Sequence, residues 1–156
     1  MAEGDRDTAG VIAPPPLIFA IPLIVGLVAN WLSPLPILAG RVGLWMGIAL
    51  AIAGLGLIVT GIIEFRRANT AVVPFSPTTA IVSSGPFRFT RNPLYLGFVL
   101  IYIGASLAAN TLWPLFMLPL AILVLLHGVV KREERYLERK FGTAYTDYRA
   151  RVRRWM

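Results

Sequence analysis

The chain has 156 residues, of which 56% are hydrophobic, and its mean hydropathy is +0.69. One soluble core of this size could not bury so much apolar surface, so the composition predicts an integral membrane protein with a single domain. The absence of cysteine excludes disulfides and thiolate ligands, and the single histidine, His127, excludes a histidine-cluster metal site. We therefore expect no metal centre.

The net charge of +7 is concentrated in two segments of the chain. Nine of the 15 Lys and Arg residues lie between Lys131 and Arg154, and four more lie between Arg66 and Arg91. Basic proteins often bind nucleic acid, but these segments adjoin long apolar runs, where positive charge sets membrane topology and attracts anionic lipid headgroups. The pattern therefore predicts anionic lipid and no nucleic acid as a partner.

The first half of the chain predicts a polar N-terminal tail, residues 1–13, followed by a membrane domain at 14–156. The first apolar run, 14–32, contains Pro22 and lacks the basic region and cleavage pattern of a removable signal, so we expect a retained helix. The second run, 42–63, is long enough to span a bilayer and is rich in glycine, which lets membrane helices approach closely.

The second half predicts a functional loop and then a helical hairpin. The polar stretch from Glu64 to Pro93 is longer than an idle connection usually is. The apolar runs at 94–109 and 112–130 are joined by so short a turn that they are expected to pack antiparallel. The second of these helices is predicted to continue through the polar segment that follows, so that it covers 112–140. Gly142 is suited to end the second of these helices, because glycine readily adopts positive φ angles.

The C-terminal segment predicts an amphipathic helix over residues 143–153 that lies at the membrane interface. Tyr145, Tyr148 and Trp155 are interpreted as aromatic anchors in the headgroup region. Two spans separate this basic segment from the basic loop, so both are expected on one side, and the positive-inside rule puts them in the cytoplasm together with both termini. The predicted fold class is thus all-α, with four transmembrane helices and a cytoplasmic or interfacial C-terminal helix.

Three polar clusters are predicted to meet on that cytoplasmic face. They are residues 85–97 at the start of the third helix, 131–135 at the end of the fourth and 64–67 at the end of the second. Each cluster alone has an ordinary explanation: turns, arginines that set topology, or solvated carboxylates paired one helical turn away. Together they form a more specific pattern, because the hairpin brings the first two clusters to one place.

This pattern resembles the isoprenylcysteine carboxyl methyltransferase and phospholipid methyltransferase superfamily. Gly-Pro-Phe-Arg and Arg-Asn-Pro-x-Tyr-x-Gly lie within 85–97, and Glu133-Glu134 precedes Phe141-Gly142, Tyr145 and Tyr148. The resemblance covers about residues 64–154. It implies a small membrane methyltransferase of the bacterial type, in a bacterial or archaeal cell membrane, with a cytoplasmic active site. It further implies methyl transfer from S-adenosylmethionine to a lipid or prenylated, lipid-like substrate.

The resemblance also assigns roles to residues by their place in the motifs. The cofactor-binding residues are Thr79, Ala80, Ile81, Val82, Phe87, Asn92, Pro93, Leu94, Tyr95, Glu133 and Glu134. The catalytic candidates are Asn92, Tyr95 and Arg88. The candidates for substrate contact are Glu64, His127 and Arg132. A carboxylate such as Glu133 can hold an ammonium or ribose hydroxyls by charge-assisted hydrogen bonds, and Phe87 and Tyr95 offer ring faces to adenine or sulfonium.

Two positions depart from relatives in this superfamily. Asn92 stands where many members have histidine, and an amide cannot carry a proton or a charge. Val129 stands where the eukaryotic carboxyl methyltransferases have an arginine suited to a substrate carboxylate. The acceptor atom, carboxyl oxygen or amine nitrogen, therefore stays open. The alternative function is a small four-helix transporter or an assembly subunit, although a transporter is expected to carry an ionisable residue near the bilayer midplane, and none is visible.

Overall fold

The computed structural model describes residues 7–38 and 41–155, and within these ranges every regular element is helical. The helices are α1 (Pro15–Leu32), α2 (Val42–Arg67), α3 (Pro93–Ala108), α4 (Trp113–Leu125), α5 (Lys131–Phe141) and α6 (Thr143–Arg151). A π-helical segment, Leu126–Val130, joins α4 to α5, so that Trp113–Phe141 forms one long helix. By length and composition, α1, α2 and this long helix can each cross a membrane, while α3 is apolar but shorter.

The predicted helices are all present, with one substantial difference at the end of α2. This helix continues to Arg67, one turn beyond the predicted end at residue 63, and Glu64 is therefore a helical residue. The other boundaries differ from the predicted ones by at most two residues. A positive φ of 54° at Gly142 separates α5 from α6, in agreement with the expectation for this glycine.

The helices α2 and α3 pack against each other along a seam of glycines. A Cβ atom on Gly54 would lie 2.5 Å from the carbonyl oxygen of Gly97, and one on Gly104 would lie 2.6 Å from that of Gly47. Side chains at these positions would therefore push the backbones apart, as expected of small residues between membrane helices. Gly56, which belongs to the same glycine-rich run, faces away, since nothing lies within 4 Å of a Cβ placed there.

The remaining helices complete an antiparallel bundle. Near its C-terminal end, α1 meets the start of α4, where a Cβ on Gly26 would lie 2.6 Å from the Pro114 nitrogen. The predicted hairpin of α3 and α4 is present: Asn110 in the connecting turn has a positive φ of 50°, and the Tyr102 hydroxyl donates to the Pro114 carbonyl at 2.7 Å. Tyr102 and Leu125 are fully buried in the core of this bundle.

Residues 7–13 do not extend away from the bundle but lie along the long helix. The Ile12 amide donates to the Gly128 carbonyl at 3.2 Å, and Val11 belongs to the hydrophobic core. The Tyr136 hydroxyl donates to Asp7 Oδ1 at 2.9 Å and accepts from the Thr78 amide at 3.1 Å. One side chain of α5 thus joins the N-terminal segment to the loop between α2 and α3.

The helix α6 also packs on protein. Tyr145 and Tyr148 retain only 2% and 6% of their surface exposure, and the Tyr148 hydroxyl donates to the Phe87 carbonyl at 2.8 Å. Their interpretation as anchors in the headgroup region is therefore wrong, because their rings are covered by neighbouring side chains. Trp155 likewise packs against the edge of the core. The sequence pattern identified the helix but assigned its aromatic face to lipid.

Candidate active site

A cavity of about 260 Å³ lies where α3 begins and α5 passes the loop between α2 and α3. Its walls combine polar and apolar groups. Ile58 and Ile62 of α2 with Leu94 and Phe98 of α3 form an apolar wall, while Glu133 of α5 faces the same space. The two polar clusters that the hairpin was predicted to bring together therefore do share one cavity.

A hydrogen bond between Tyr95 and Glu133 spans this cavity from α3 to α5. The Tyr95 hydroxyl donates to Glu133 Oε1 at 2.6 Å, and Tyr95 is 8% exposed. Among the described residues, no Lys, Arg or His forms an ion pair with Glu133. Because a secluded carboxylate is costly without a cationic partner, this group is suited to a positively charged ligand.

The adjacent Glu134 has a different environment, although it was predicted together with Glu133. Arg154 holds its carboxylate through two hydrogen bonds, of 2.8 Å and 2.6 Å, and Arg91 Nη1 lies 2.9 Å from Oε1. These bonds also raise the pKa of the Arg154 guanidinium. Glu134 lines the cavity, but its charge is balanced within the protein.

Asn92 caps α3 and contacts the C-terminal segment. Its Nδ2 donates to the Arg154 carbonyl at 3.0 Å, and the Thr90 hydroxyl donates to the same oxygen at 3.0 Å. The Arg91 amide donates to the Arg153 carbonyl, also at 3.0 Å. Asn92 and Pro93 line the cavity, so the segment after α6 supports this wall from behind.

Arg91 belongs to the site, although it was not among the predicted site residues. It lines the cavity, and its Nη1 donates to the Tyr145 hydroxyl at 3.2 Å. Its Nε is buried and has no hydrogen-bond partner among the described residues. The Arg-Asn-Pro motif contained this residue, but an arginine beside a membrane helix is also what the positive-inside rule predicts, so its sequence position did not distinguish it.

The loop before α3 forms much of the remaining wall. Ala80, Ile81, Val82 and Phe87 line the cavity, and the last two are buried. Thr79 does not line it, because its amide donates to Thr70 Oγ1 at 2.9 Å and its hydroxyl is also bonded within the loop. The predicted stretch is therefore present at the cavity with the exception of its first residue.

Arg88 and His127 lie outside the cavity wall. Arg88 ends the 3-10 turn Gly85–Arg88 and is exposed. His127 is exposed in the π-helical segment, where Lys131 Nζ lies 3.0 Å from its Nε2. Neither residue is among those that line the cavity.

Glu64 and Arg132 also lie outside it. Glu64 pairs with Arg67 Nη1 at 2.9 Å and accepts a hydrogen bond from the Ser84 hydroxyl. Arg132 Nη1 donates to the Gly10 carbonyl at 2.8 Å, which fastens the N-terminal segment to α5. Both side chains thus make contacts between elements of the fold. Within residues 7–38 and 41–155, no group of three or more His, Cys, Asp or Glu could hold a metal ion.

Two known proteins show partial similarity to this chain. The cobalt-zinc-cadmium resistance protein CzcN of Cupriavidus metallidurans is 29% identical over 115 residues, which are 72% of this chain and 45% of that protein. An uncharacterized protein of Haemophilus influenzae is 36% identical over 63 residues, which are 40% of this chain and 100% of the relative. The chain therefore spans less than half the length of the Cupriavidus protein. No solved structure matches the chain.

The sequence pattern of the phospholipid methyltransferase family matches residues 42–144. This range begins with α2 and ends at the start of α6, so it contains Tyr95, Glu133 and the loop that closes the cavity. The superfamily expected from the motifs is thereby confirmed. This chain is an integral membrane protein that belongs to the phospholipid methyltransferase family.

Proposed function

We propose that the protein transfers a methyl group from S-adenosylmethionine to a lipid or lipid-like substrate inside the cavity between α3 and α5. The observation that carries this proposal is the 2.6 Å hydrogen bond from Tyr95 to Glu133. It brings the two halves of the methyltransferase motif to one cavity, beside the loop residues Ala80 and Val82.

The polar groups of the cavity fit the charges of S-adenosylmethionine, which carries a sulfonium, an ammonium and a carboxylate. The Glu133 carboxylate, which has no cationic partner among the described residues, suits the ammonium. The buried Nε of Arg91 lacks an acceptor in the same part of the chain and suits the carboxylate. Glu133 and Arg91 would thus bind the ammonium and the carboxylate of one amino acid moiety.

The aromatic and loop residues of the cavity suit the adenine ring. Phe87 and Tyr95 can present ring faces, and Phe87 is held by an edge-to-face contact with Phe65 at a centroid distance of 5.0 Å. Residues Ala80 to Val82 lie outside any helix, so their backbone groups are not committed to a helical hydrogen-bond ladder. Nucleobase edges are commonly bonded by such groups.

The apolar wall supports a lipid as the substrate. Ile58 and Ile62 lie on the long apolar helix α2, and Phe98 lies one turn into the apolar helix α3. A hydrocarbon chain can therefore lie against this wall while its headgroup reaches Glu133 and Asn92. An amphiphilic substrate is the kind of molecule that such a divided surface accommodates.

Catalysis would rest on positioning. When bound, S-adenosylmethionine supplies the methyl group, and a lone pair of the acceptor forms the new bond to carbon as the carbon–sulfur bond breaks and its electrons return to sulfur. Tyr95 and Glu133 would fix the donor, and the apolar wall would exclude water and align the acceptor in line with the sulfur. A carboxylate acceptor needs no base, whereas an amine must first release its proton to solvent.

The proposal includes four membrane spans, with α3 as the shortest, and an active site on the cytoplasmic side. The 16 residues of α3 extend about 24 Å at 1.5 Å per residue, somewhat less than the ~30 Å hydrocarbon layer. The close glycine contacts with α2 and the apolar composition of α3 support this assignment. The basic residues at the cavity end support a cytoplasmic location.

Substitution of Glu133 tests the proposed cofactor site. Glu133→Gln is expected to weaken the binding of S-adenosylmethionine about tenfold or more, because a hydrogen bond to a charged group contributes about 1.5–3 kcal/mol. The measurement is isothermal titration calorimetry of the purified protein in detergent. Formation of a methylated lipid, followed by mass spectrometry with membrane lipid extract, should fall in parallel.

Glu138→Gln provides the matched control. Glu138 lies on the same helix, is 46% exposed and pairs with Arg149 at 3.1 Å, so its loss should leave cofactor affinity unchanged. The proposal would be refuted by wild-type protein that binds no S-adenosylmethionine at millimolar concentration. Equal affinity of wild type and Glu133→Gln would refute the role of Glu133.

A further inference from the structure

A second cavity, of about 440 Å³, lies on the outside of the bundle between α1 and α4. All of its lining side chains are apolar, among them Leu17 and Val25 of α1 and Leu120 and Val124 of α4. It shares no lining residue with the cavity between α3 and α5, which we call the reaction cavity. We refer to it as the α1–α4 groove.

Two close contacts, each at a glycine, border the α1–α4 groove. At one end, a Cβ on Gly26 would lie 2.6 Å from the Pro114 nitrogen, and at the other end Gly128 lies directly against Ile12. The helix α1 is thus held against α4 at one end, the segment before α1 is held against the segment after α4 at the other, and side chains leave an open channel between. From Leu17 to Val25 this channel follows α1 for about 12 Å, at 1.5 Å per residue. That length is close to one leaflet of a hydrocarbon layer about 30 Å thick.

Basic side chains stand at one end of the α1–α4 groove. His127 follows the groove residue Val124 by one helical turn and is exposed, and Lys131 Nζ lies 3.0 Å from its Nε2. Arg135 follows after another turn, and its Nε donates to the Lys131 carbonyl at 3.2 Å. No carboxylate among the described residues pairs with Lys131 or Arg135.

We infer that the α1–α4 groove and the basic residues beside it bind one anionic glycerophospholipid. An acyl chain lies along Leu17, Val25 and Leu120, and the phosphate lies at Lys131 and His127. Charge complementarity selects the occupant, since an apolar channel alone accepts any acyl chain, whereas the cations at its end favour an anionic headgroup. The bound lipid fills the space between α1 and α4 and holds the two helices together outside the reaction cavity.

Lipid selectivity of the intact protein tests this inference. Native mass spectrometry of the purified full-length chain is carried out with phosphatidylglycerol and with phosphatidylcholine of the same acyl chains. One phosphatidylglycerol is expected to remain bound, with an affinity at least about fivefold higher than that of phosphatidylcholine. Lys131→Gln should lower phosphatidylglycerol affinity about fivefold. Arg139→Gln, which removes an exposed charge elsewhere on α5, should leave it unchanged.

A bulky side chain tests the groove itself. Leu120→Trp should weaken the binding of both lipids, because Leu120 lines the α1–α4 groove and is 64% exposed, so that a larger ring occupies the channel. Leu123→Trp, at a position 54% exposed but outside the lining, should have no effect. Equal affinity for the two lipids, or equal effects of the paired variants, would overturn the inference and leave a non-specific lipid annulus. Binding of S-adenosylmethionine is independent of this outcome.

Discussion

Two consecutive glutamates in this protein have different surroundings. Successive residues of a helix are rotated by about 100°, so Glu133 and Glu134 cannot face the same neighbours. Glu133 meets the Tyr95 hydroxyl, while Glu134 is enclosed by Arg91 and Arg154. The first has the ligand-binding role in our proposal, and the second holds α5 to the start of α3 and to the C-terminal segment.

Glu134→Gln is therefore expected to reduce stability rather than to act on the ligand alone. The Glu134 side chain is 11% exposed, and breaking such an enclosed ion pair leaves arginine charge without a partner, at a cost of about 3 kcal/mol. The thermal unfolding midpoint in detergent should fall markedly. Glu138→Gln, at a pair in which both side chains are 46% exposed, should change it little. Similar midpoints for the two variants would contradict this assignment.

Some contacts of individual residues could be predicted from the sequence, and others could not. The motif and the short turn between α3 and α4 predicted that Tyr95 and Glu133 lie near each other, although not that they form a hydrogen bond. Arg154 was not found, because the C-terminal segment contains several arginines and no spacing marks the one that reaches Glu134. Arginines at a membrane boundary are expected for topology alone, so the sequence does not show which of them also forms a specific ion pair.

Among the elements, the α2–α3 pair has the closest approach. Gly47 and Gly54 of α2 lie against Gly104 and Gly97 of α3, at intervals of seven residues along each helix. This spacing keeps the small residues on one seam, as in left-handed helix packing. Since Tyr95 starts α3 and Ile58 and Ile62 lie on α2, the seam also fixes the apolar wall of the cavity.

Gly54→Ala is expected to destabilise the protein by about 1–3 kcal/mol, the usual effect of forcing an extra carbon into a packed contact. The added Cβ would lie 2.5 Å from a backbone carbonyl oxygen that cannot move independently of α3. Gly56→Ala is the control, because that position has open space around it. The measurement is the thermal midpoint in detergent. Equal midpoints for the two variants would show that α2 and α3 can move apart at Gly54 without loss of stability.

Hydropathy located the helices and most of their ends, but it missed the end of α2 and the π-helical segment. It ended α2 at residue 63, where the apolar run stops, although the helix continues through Glu64 to Arg67. Apolar composition marks contact with lipid, whereas a helix ends where its backbone hydrogen bonds end. For the same reason the π-helical segment Leu126–Val130 was not predicted, since it lies inside an uninterrupted run and alters only the rotation of the residues that follow.

On the scale of the whole molecule, both basic segments lie at the same end of the bundle as the cavity. The Arg91 amide donates to the Arg153 carbonyl at 3.0 Å, which joins the basic loop to the C-terminal segment. The two segments therefore meet in the structure, while the side of the membrane that they face stays a prediction. The connection between α1 and α2 lies at the opposite end, where Trp113 Nε1 donates to the Ser33 carbonyl at 2.7 Å.

The proposed topology can be tested with single thiols, because the chain has no cysteine. Ser83→Cys lies in the exposed loop near the cavity, and Ser33→Cys lies exposed at the other end. In intact cells a membrane-impermeant maleimide should label only Ser33→Cys, and Ser83→Cys should react after permeabilisation. Reversed labelling would put the cavity outside the cytoplasm. Equal labelling of both variants in intact cells would contradict a membrane-spanning bundle between them.

The Tyr136 hydroxyl has a consequence for the exchange of molecules with the cavity. The loop residue Thr78 and the N-terminal residue Asp7 bond to the same oxygen, and Lys140 adds a third bond at 3.1 Å. Lys140 and Tyr136 hold the pKa of Asp7 below its ordinary value, so the Asp7 carboxylate stays charged until strongly acidic conditions protonate it. Because Ala9 and Thr78 both border the cavity, we expect its two flanks to open together, so that the release of a bound molecule depends on the Tyr136 hydroxyl.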